Sequence, residues 1–139
     1  MPESEDCSVR SVLAQARELL ENAGVETAAL DSRVLLARVM DCDQTWFYTN
    51  SDAAISADDL ARFHAMLARR ETRVPVSHIL GEREFWSRSF LVSPDVLTPR
   101  PDSETLIEAV LDGVPDQSTP LRILDLGTGS GCLLLTLLS

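Results

Sequence analysis

Apolar residues recur along the first part of the chain with the spacing of one helix face. After Ser8, a candidate N-cap, come Val9, Val12, Leu13, Ala16, Leu19, Leu20 and Ala23, and Gly24 follows as a natural stop. A second helix is expected from about Thr27 to Asp41, with Ala28, Leu35, Leu36, Val39 and Met40 on its buried side. A short aromatic segment, Thr45-Trp46-Phe47-Tyr48, separates it from a third. Ser56 with Asp59 three residues later resembles a capping box, and Leu60, Phe63, Met66 and Leu67 continue the stripe to about Arg73, where Pro75 ends it. Residues 1–74 therefore predict a small all-α bundle whose stripes are core rather than a cofactor box.

The pattern then changes. From Val76 to Val96 the residues are β-prone and are interrupted by Gly81 and Pro94. Residues 75–98 predict a β-hairpin linker turning near Ser87-Arg88-Ser89. Thr98-Pro99-Arg100-Pro101 reads as extended, with Pro101 fit for the first turn of a helix from Asp102 to about Leu111. A Gly-, Pro-, Ser- and Asp-containing loop from Gly113 to Pro120 leads into Leu121-Arg122-Ile123-Leu124-Asp125-Leu126, an apolar run suited to a buried parallel strand. Gly127-Thr128-Gly129-Ser130-Gly131 breaks that run before a helix from Cys132 to Leu138.

Strand, glycine turn, helix is an arrangement that brings backbone close to a ligand. The chain contains no Lys, since all twelve basic residues are Arg, so the P-loop of a nucleoside triphosphatase is excluded. The dinucleotide fingerprint spaces its glycines G-x-G-x-x-G, whereas here position 132 is Cys and the third glycine comes one residue early. Asp125 would repel a pyrophosphate but attract a ligand with an ammonium group and a sulfonium, which points to S-adenosylmethionine. A turn with no ligand remains the alternative.

Composition narrows the surroundings of that site. The net charge of −10 disfavours nonspecific binding to nucleic acid, and could steer a basic protein partner or simply confer solubility. Cys7, Cys42 and Cys132 are too far apart for a disulfide framework or zinc spacing, and His64 and His78 lack a spaced partner, so no metal site is expected. No run of about 18 apolar residues is present. The acidic start, Pro2-Glu3-Ser4-Glu5-Asp6, is unlike a basic leader, which makes the cytoplasm the expected location.

Four segments resemble one family. Glu84-Phe85-Trp86-Ser87, Val92-Ser93-Pro94, Thr98-Pro99-Arg100-Pro101-Asp102-Ser103-Glu104 and Ile123 to Gly131 are similar to the HemK/PrmC family of peptide chain release factor N5-glutamine methyltransferases. The Pro-Arg-Pro segment favours that family over ribosomal protein glutamine methyltransferases, whose segment is closer to Pro-Arg-Ser-Pro. The resemblance implies an α+β chain: a helical substrate-recognition domain over 1–74, the hairpin linker over 75–98, and over 99–139 the incomplete start of a Rossmann-like class I methyltransferase domain. It implies that Gly127, Thr128, Gly129, Ser130 and Gly131 wrap S-adenosylmethionine, with Asp125 supporting the turn or the amino group. It also implies that Phe85 and Arg100 to Glu104 line the pocket. Packing between domains is an equal alternative for Phe85 and Trp86, and a local ion pair for Arg100 with Glu104. The family's Asn-Pro-Pro-Tyr motif does not occur in the chain, nor does the acidic residue that would bind the ribose, so no residue is assigned to catalysis. The implied partner is a release factor methylated on the glutamine of its Gly-Gly-Gln motif, and the 139-residue chain itself is expected to be a monomer without activity. A non-catalytic, release-factor-binding module is the rival reading.

Overall fold

A computed structural model describes residues 7–114, 116 and 120–139. The acidic start and most of the loop expected between Gly113 and Pro120 lie outside the described residues. The chain divides into two compact units, residues 1–80 and 81–139.

In the first unit, α1 (Val9–Asn22) starts where Ser8 accepts the Ser11 amide on its Oγ at 3.3 Å. Gly24, at φ +74°, turns the chain out of the helix, and the Val25 amide closes on the Leu20 carbonyl. In α2 (Ala28–Met40) the stop is Asp41, one of the few side chains that tolerate the left-handed region, at φ 50°. The aromatic segment forms one turn, α3 (Trp46–Thr49), after Asp43 accepts the Thr45 amide at 2.7 Å. In α4 (Ala57–Glu71) the expected cap is present: the Asp59 amide donates to Ser56 Oγ at 3.1 Å, and that hydroxyl donates to the Asp59 carboxylate at 2.7 Å. The apolar stripes meet in one core that includes Val9, Leu20, Leu35, Leu36 and Phe63.

Arginines carried by α4 and its C-terminal turn tie the other helices together. Arg62 donates to the Val39 carbonyl near the end of α2 at 2.8 Å. Arg73 donates to the Ala23 and Gly24 carbonyls beyond α1. Helix carbonyls at a C-terminus lack intrahelical donors, and these guanidinium groups supply them. Arg70 Nε bonds Asp31 on α2 at 2.7 Å, with side chains only 16% and 9% exposed, and Thr27 Oγ1 donates to the same carboxylate oxygen at 2.8 Å.

Residues 76–80 depart from the β-prone reading: they form a short helix, α5 (Val76–Leu80). The Pro75 carbonyl accepts the His78 and Ile79 amides, at 3.0 and 3.1 Å. Arg69 on α4 takes the His78 and Ile79 carbonyls at 3.2 and 3.4 Å, so tertiary donors favour the turn over a strand. Ile79 joins the first core.

The second unit opens with the hairpin, β1 (Glu82–Phe85) and β2 (Arg88–Leu91), paired from Glu82↔Leu91 to Phe85↔Arg88. Its turn is Trp86-Ser87, earlier than expected. With this register Phe85 and Phe90 lie on one face and are both buried, their rings edge to face at 6.3 Å. A turn at 87–89 would send them to opposite faces, because side chains alternate along a strand. The two-residue loop costs local strain, with Trp86 at φ 51° and Ser87 at φ 56°. A 3₁₀ turn (Pro101–Ser103), carrying the expected early proline, leads into α6 (Glu104–Gly113). The last helix, α7 (Cys132–Leu137), puts Cys132 beside Phe85, Phe90 and Ile107 in a second, smaller core.

Leu121 to Leu126 do not form the expected buried strand. They have no strand assignment, and Leu124 and Leu126 are 81% and 83% exposed. A strand exists only through a neighbour, and among the described residues the only strands pair with each other in the hairpin. The chain is α+β, but the parallel sheet is not shown.

Two measurements check these forces. Asp31→Ala, which leaves the largely covered Arg70 without its carboxylate, is expected to lower stability in urea unfolding by about 2–3 kcal/mol. The double substitution Asp31→Leu with Arg70→Met should cost clearly less than the single. The Ser56 hydroxyl, and then the Arg62 guanidinium, hold the Asp59 carboxyl below its ordinary value. Its contribution is therefore present above about pH 4 and is lost as pH falls through the lowered folded value. Unfolding followed at pH 6 and pH 3 should show a smaller acid-induced loss in Asp59→Asn than in the parent.

Candidate functional site

Three positions of the glycine turn lie in the left-handed region that favours glycine: Gly127, Gly129 and Gly131 stand at φ +77°, +56° and +76°. Two bonds shape it. The Gly131 amide donates to the Thr128 carbonyl at 2.9 Å, and Thr128 Oγ1 donates to the Asp125 carbonyl at 3.2 Å. A Cβ built at Gly127 meets nothing within 4 Å, so open space faces that position. At Gly131 it would touch the Leu135 and Thr128 side chains, at 3.5 to 3.8 Å. Those are ordinary van der Waals distances, so at both 127 and 131 the need for glycine is conformational.

Asp125 lies immediately before the turn. Its Oδ2 is shut off from solvent and has no hydrogen-bond partner among the described residues. A carboxylate oxygen in that condition favours a donor, and an ammonium group is the kind of donor that would complete it. In the same stretch the amides of residues 127–130 reach no backbone carbonyl among the described residues.

The remaining expected site residues are dispersed. Phe85, 1% exposed, uses its ring in the second core. It shares that core with Cys132, the residue that follows the glycine turn, so hairpin and turn are linked through packing. Glu104 makes no ion pair with Arg100; its Oε1 accepts the Trp86 amide at 3.0 Å. The Glu104 carboxylate thus holds the strained hairpin turn to the start of α6. Arg100 is exposed and extended, at φ −100° and ψ 145°, as the residue before a proline must be.

A cleft of about 470 Å³ is lined by Glu84, Trp86, Ser87 and Glu104. A second, of about 480 Å³, runs past Trp86, Val110, Leu121, Ile123, Thr136 and Leu137, and Thr136 Oγ1 is buried there without a partner among the described residues. Neither takes a residue from the glycine turn. The second cleft could not be read from the sequence, because its walls come from four separate segments. Glu104's bond to a main-chain amide was equally hidden, since a carboxylate four residues from an Arg reads first as an ion pair.

Elsewhere the described residues contain no group of three or more side chains able to hold a metal. No helix among them is long and apolar enough to cross a membrane. Burial, helped by the neighbouring Asp43 and Asp41 carboxylates, pushes the Cys42 thiol up from its ordinary value.

Comparison with known proteins bears on both units. The family model of the PrmC N-terminal domain matches residues 11–81. Among curated relatives, the release factor glutamine methyltransferase of Shewanella oneidensis is 44% identical over 84% of this chain and 40% of its own length. That of Koribacter versatilis is 39% identical over 94% of this chain and 46% of its own length. That of Rhodospirillum rubrum is 45% identical over 86% of this chain and 36% of its own. The chain thus spans less than half the length of these relatives.

The hairpin strain has a direct test. Ser87→Gly, at an exposed position with positive φ, should stabilise the hairpin by roughly 0.5–1 kcal/mol. Amide exchange across Glu82 to Leu91 should slow accordingly.

Proposed function

The chain belongs to the PrmC N-terminal domain family, and on that premise we propose that the protein carrying it is an S-adenosylmethionine-dependent methyltransferase. Its substrate is a peptide chain release factor, and the methyl group goes to the side-chain amide nitrogen, N5, of the glutamine in the Gly-Gly-Gln motif. The relatives named release factor glutamine methyltransferase support the reaction class and the substrate. The observation within the chain that carries the reading is the partnerless carboxylate oxygen of Asp125 beside an open, glycine-only turn.

Bound there, S-adenosylmethionine would supply an electrophilic methyl group on its sulfonium. Asp125 would take the ammonium group, and Gly127, Thr128, Gly129, Ser130 and Gly131 would let the backbone approach the methionine end. Arg100 and Glu104 would act from the linker side, Glu104 by fixing the Trp86-Ser87 turn. Phe85 would contribute through the packing that ties the hairpin to Cys132. An amide nitrogen is a poor nucleophile because its lone pair is delocalised into the carbonyl, so the transfer depends on holding that nitrogen in line with the methyl group. The residues that do so are not assigned in this chain. The first unit, with its own core, would recognise the release factor, and its acidic surface suits a basic partner. The reading includes a cytoplasmic location and a Rossmann-like sheet completed by further strands.

The non-catalytic alternative, a release-factor-binding helical module, has one observation in its favour: the first unit has a full core while Leu121 to Leu126 lack a sheet. A labelled-methyl transfer assay with the whole protein and purified release factor decides between them. Label on the Gly-Gly-Gln glutamine is expected, and its absence where a relative's enzyme works would overturn the proposal. Calorimetry of the 139-residue chain with S-adenosylmethionine should show little binding, because one turn cannot enclose a cofactor.

A further inference from the structure

The hairpin turn is strained, and the bond that holds it comes from another element. Trp86 and Ser87 stand at φ 51° and 56°, in a two-residue loop that favours Asn-Gly. Glu104 Oε1, at the start of α6, accepts the Trp86 amide at 3.0 Å. A carboxylate on a main-chain amide makes a charge-assisted bond, stronger than a neutral one. Three residues on, and so on the same side of α6, Ile107 is buried with Phe85 and Phe90. The helix grips the hairpin twice, by charge at the turn and by packing at the two rings.

That grip extends to the glycine turn. Cys132, the first residue of α7, is buried in the same cluster, and Gly131 stands immediately before it at φ +76°. Were the hairpin to relax to a turn at Ser87-Arg88-Ser89, Phe85 and Phe90 would fall on opposite faces, and the cluster around Cys132 would lose one ring. Glu104 itself lies in a cleft whose other walls, among the described residues, are Glu84, Trp86 and Ser87, with none from the glycine turn. We propose that Glu104 is a positioning residue for the cofactor and sets its affinity without touching it. The carboxylate holds the strained turn, the turn fixes the register of Phe85, and Phe85 fixes Cys132 and the glycines before it. The identity of the ligand, S-adenosylmethionine, rests on the methyltransferase reading; the coupling from Glu104 to residues 127–131 does not. Strain at Ser87 and the bond from Glu104 oppose each other, so relieving the first stands in for the second.

Two measurements test this, the first without cofactor. In the 139-residue chain, the amide resonances of Gly127, Gly129 and Gly131 should shift in Glu104→Ala and return most of the way when Ser87→Gly is added. In the whole protein, calorimetry with S-adenosylmethionine should show about tenfold weaker binding for Glu104→Ala. Glu104→Gln, which keeps an acceptor without the charge, should weaken it roughly threefold, and it carries the test if Glu104→Ala does not fold. Glu104→Ala with Ser87→Gly should recover affinity to within about threefold of the parent. The KM for the cofactor should rise in step, while kcat and the KM for release factor stay within about twofold. Glycine resonances that stay in place while those of the hairpin shift would overturn the coupling. Lower melting temperature with unchanged cofactor affinity would do the same, because Glu104 would then only stabilise. Affinity that Ser87→Gly fails to restore would make Glu104 a direct ligand, which the proposal denies. A parent that binds no S-adenosylmethionine would overturn the methyltransferase reading and the cofactor named here, while the glycine resonances still decide the coupling.

Discussion

The helix ends of the first unit all leave carbonyl groups that water or a side chain must satisfy, and one helix supplies many of the donors. From α4 and the turn after it, Arg62 reaches α2, Arg69 reaches α5, and Arg73 reaches the end of α1. Arg70 does the same for a carboxylate, Asp31, that would otherwise be buried without a counter-charge. The flat, multi-donor guanidinium suits this work, since it can address two carbonyls at once where an ammonium is a point charge. Apolar stripes bring the helices together, but these directional bonds decide where each helix stops against its neighbours. They also convert residues 76–80, a β-prone stretch in isolation, into a helical turn.

The second unit works with less. Its core is built around Phe85, Phe90, Ile107 and Cys132, and each comes from a different element. So few residues can form a core only if the hairpin register puts both phenylalanines on one face. That requirement places Trp86 and Ser87 in the left-handed region, and the Glu104 carboxylate then secures the turn through the Trp86 amide. A residue that first reads as cofactor lining thereby becomes a support for the element beside the glycine turn. The glycine turn itself is preformed to the extent that three positive φ angles and two short-range hydrogen bonds define it.

This bears on what the family's chemistry demands. Methyl transfer to an amide depends on fixed geometry around a cofactor, and such geometry needs walls on several sides. In the proposed reading the turn and Asp125 would form one side. Among the described residues the amides of 121–126 reach no backbone carbonyl, and several of their apolar side chains are exposed.

Much was legible from residue order alone, because it depends on neighbours three or four positions apart. The α1 and α4 stripes, the Ser8 and Ser56 caps, the Gly24 stop and the early placement of Pro101 all belong to that class. The glycine turn and its Asp were legible too, since their conformations are local. Strand existence was not, because pairing at Leu121 to Leu126 needs a neighbour that periodicity cannot supply. Nor was the hairpin's turn, which was set by burial of two rings, or the role of Glu104, set by an amide eighteen residues away. Local propensity and spacing determined the helices and the site's signature; only the tertiary structure decided which carbonyls the arginines would satisfy and which apolar residues would find a partner, because both depend on contacts between segments far apart in the chain.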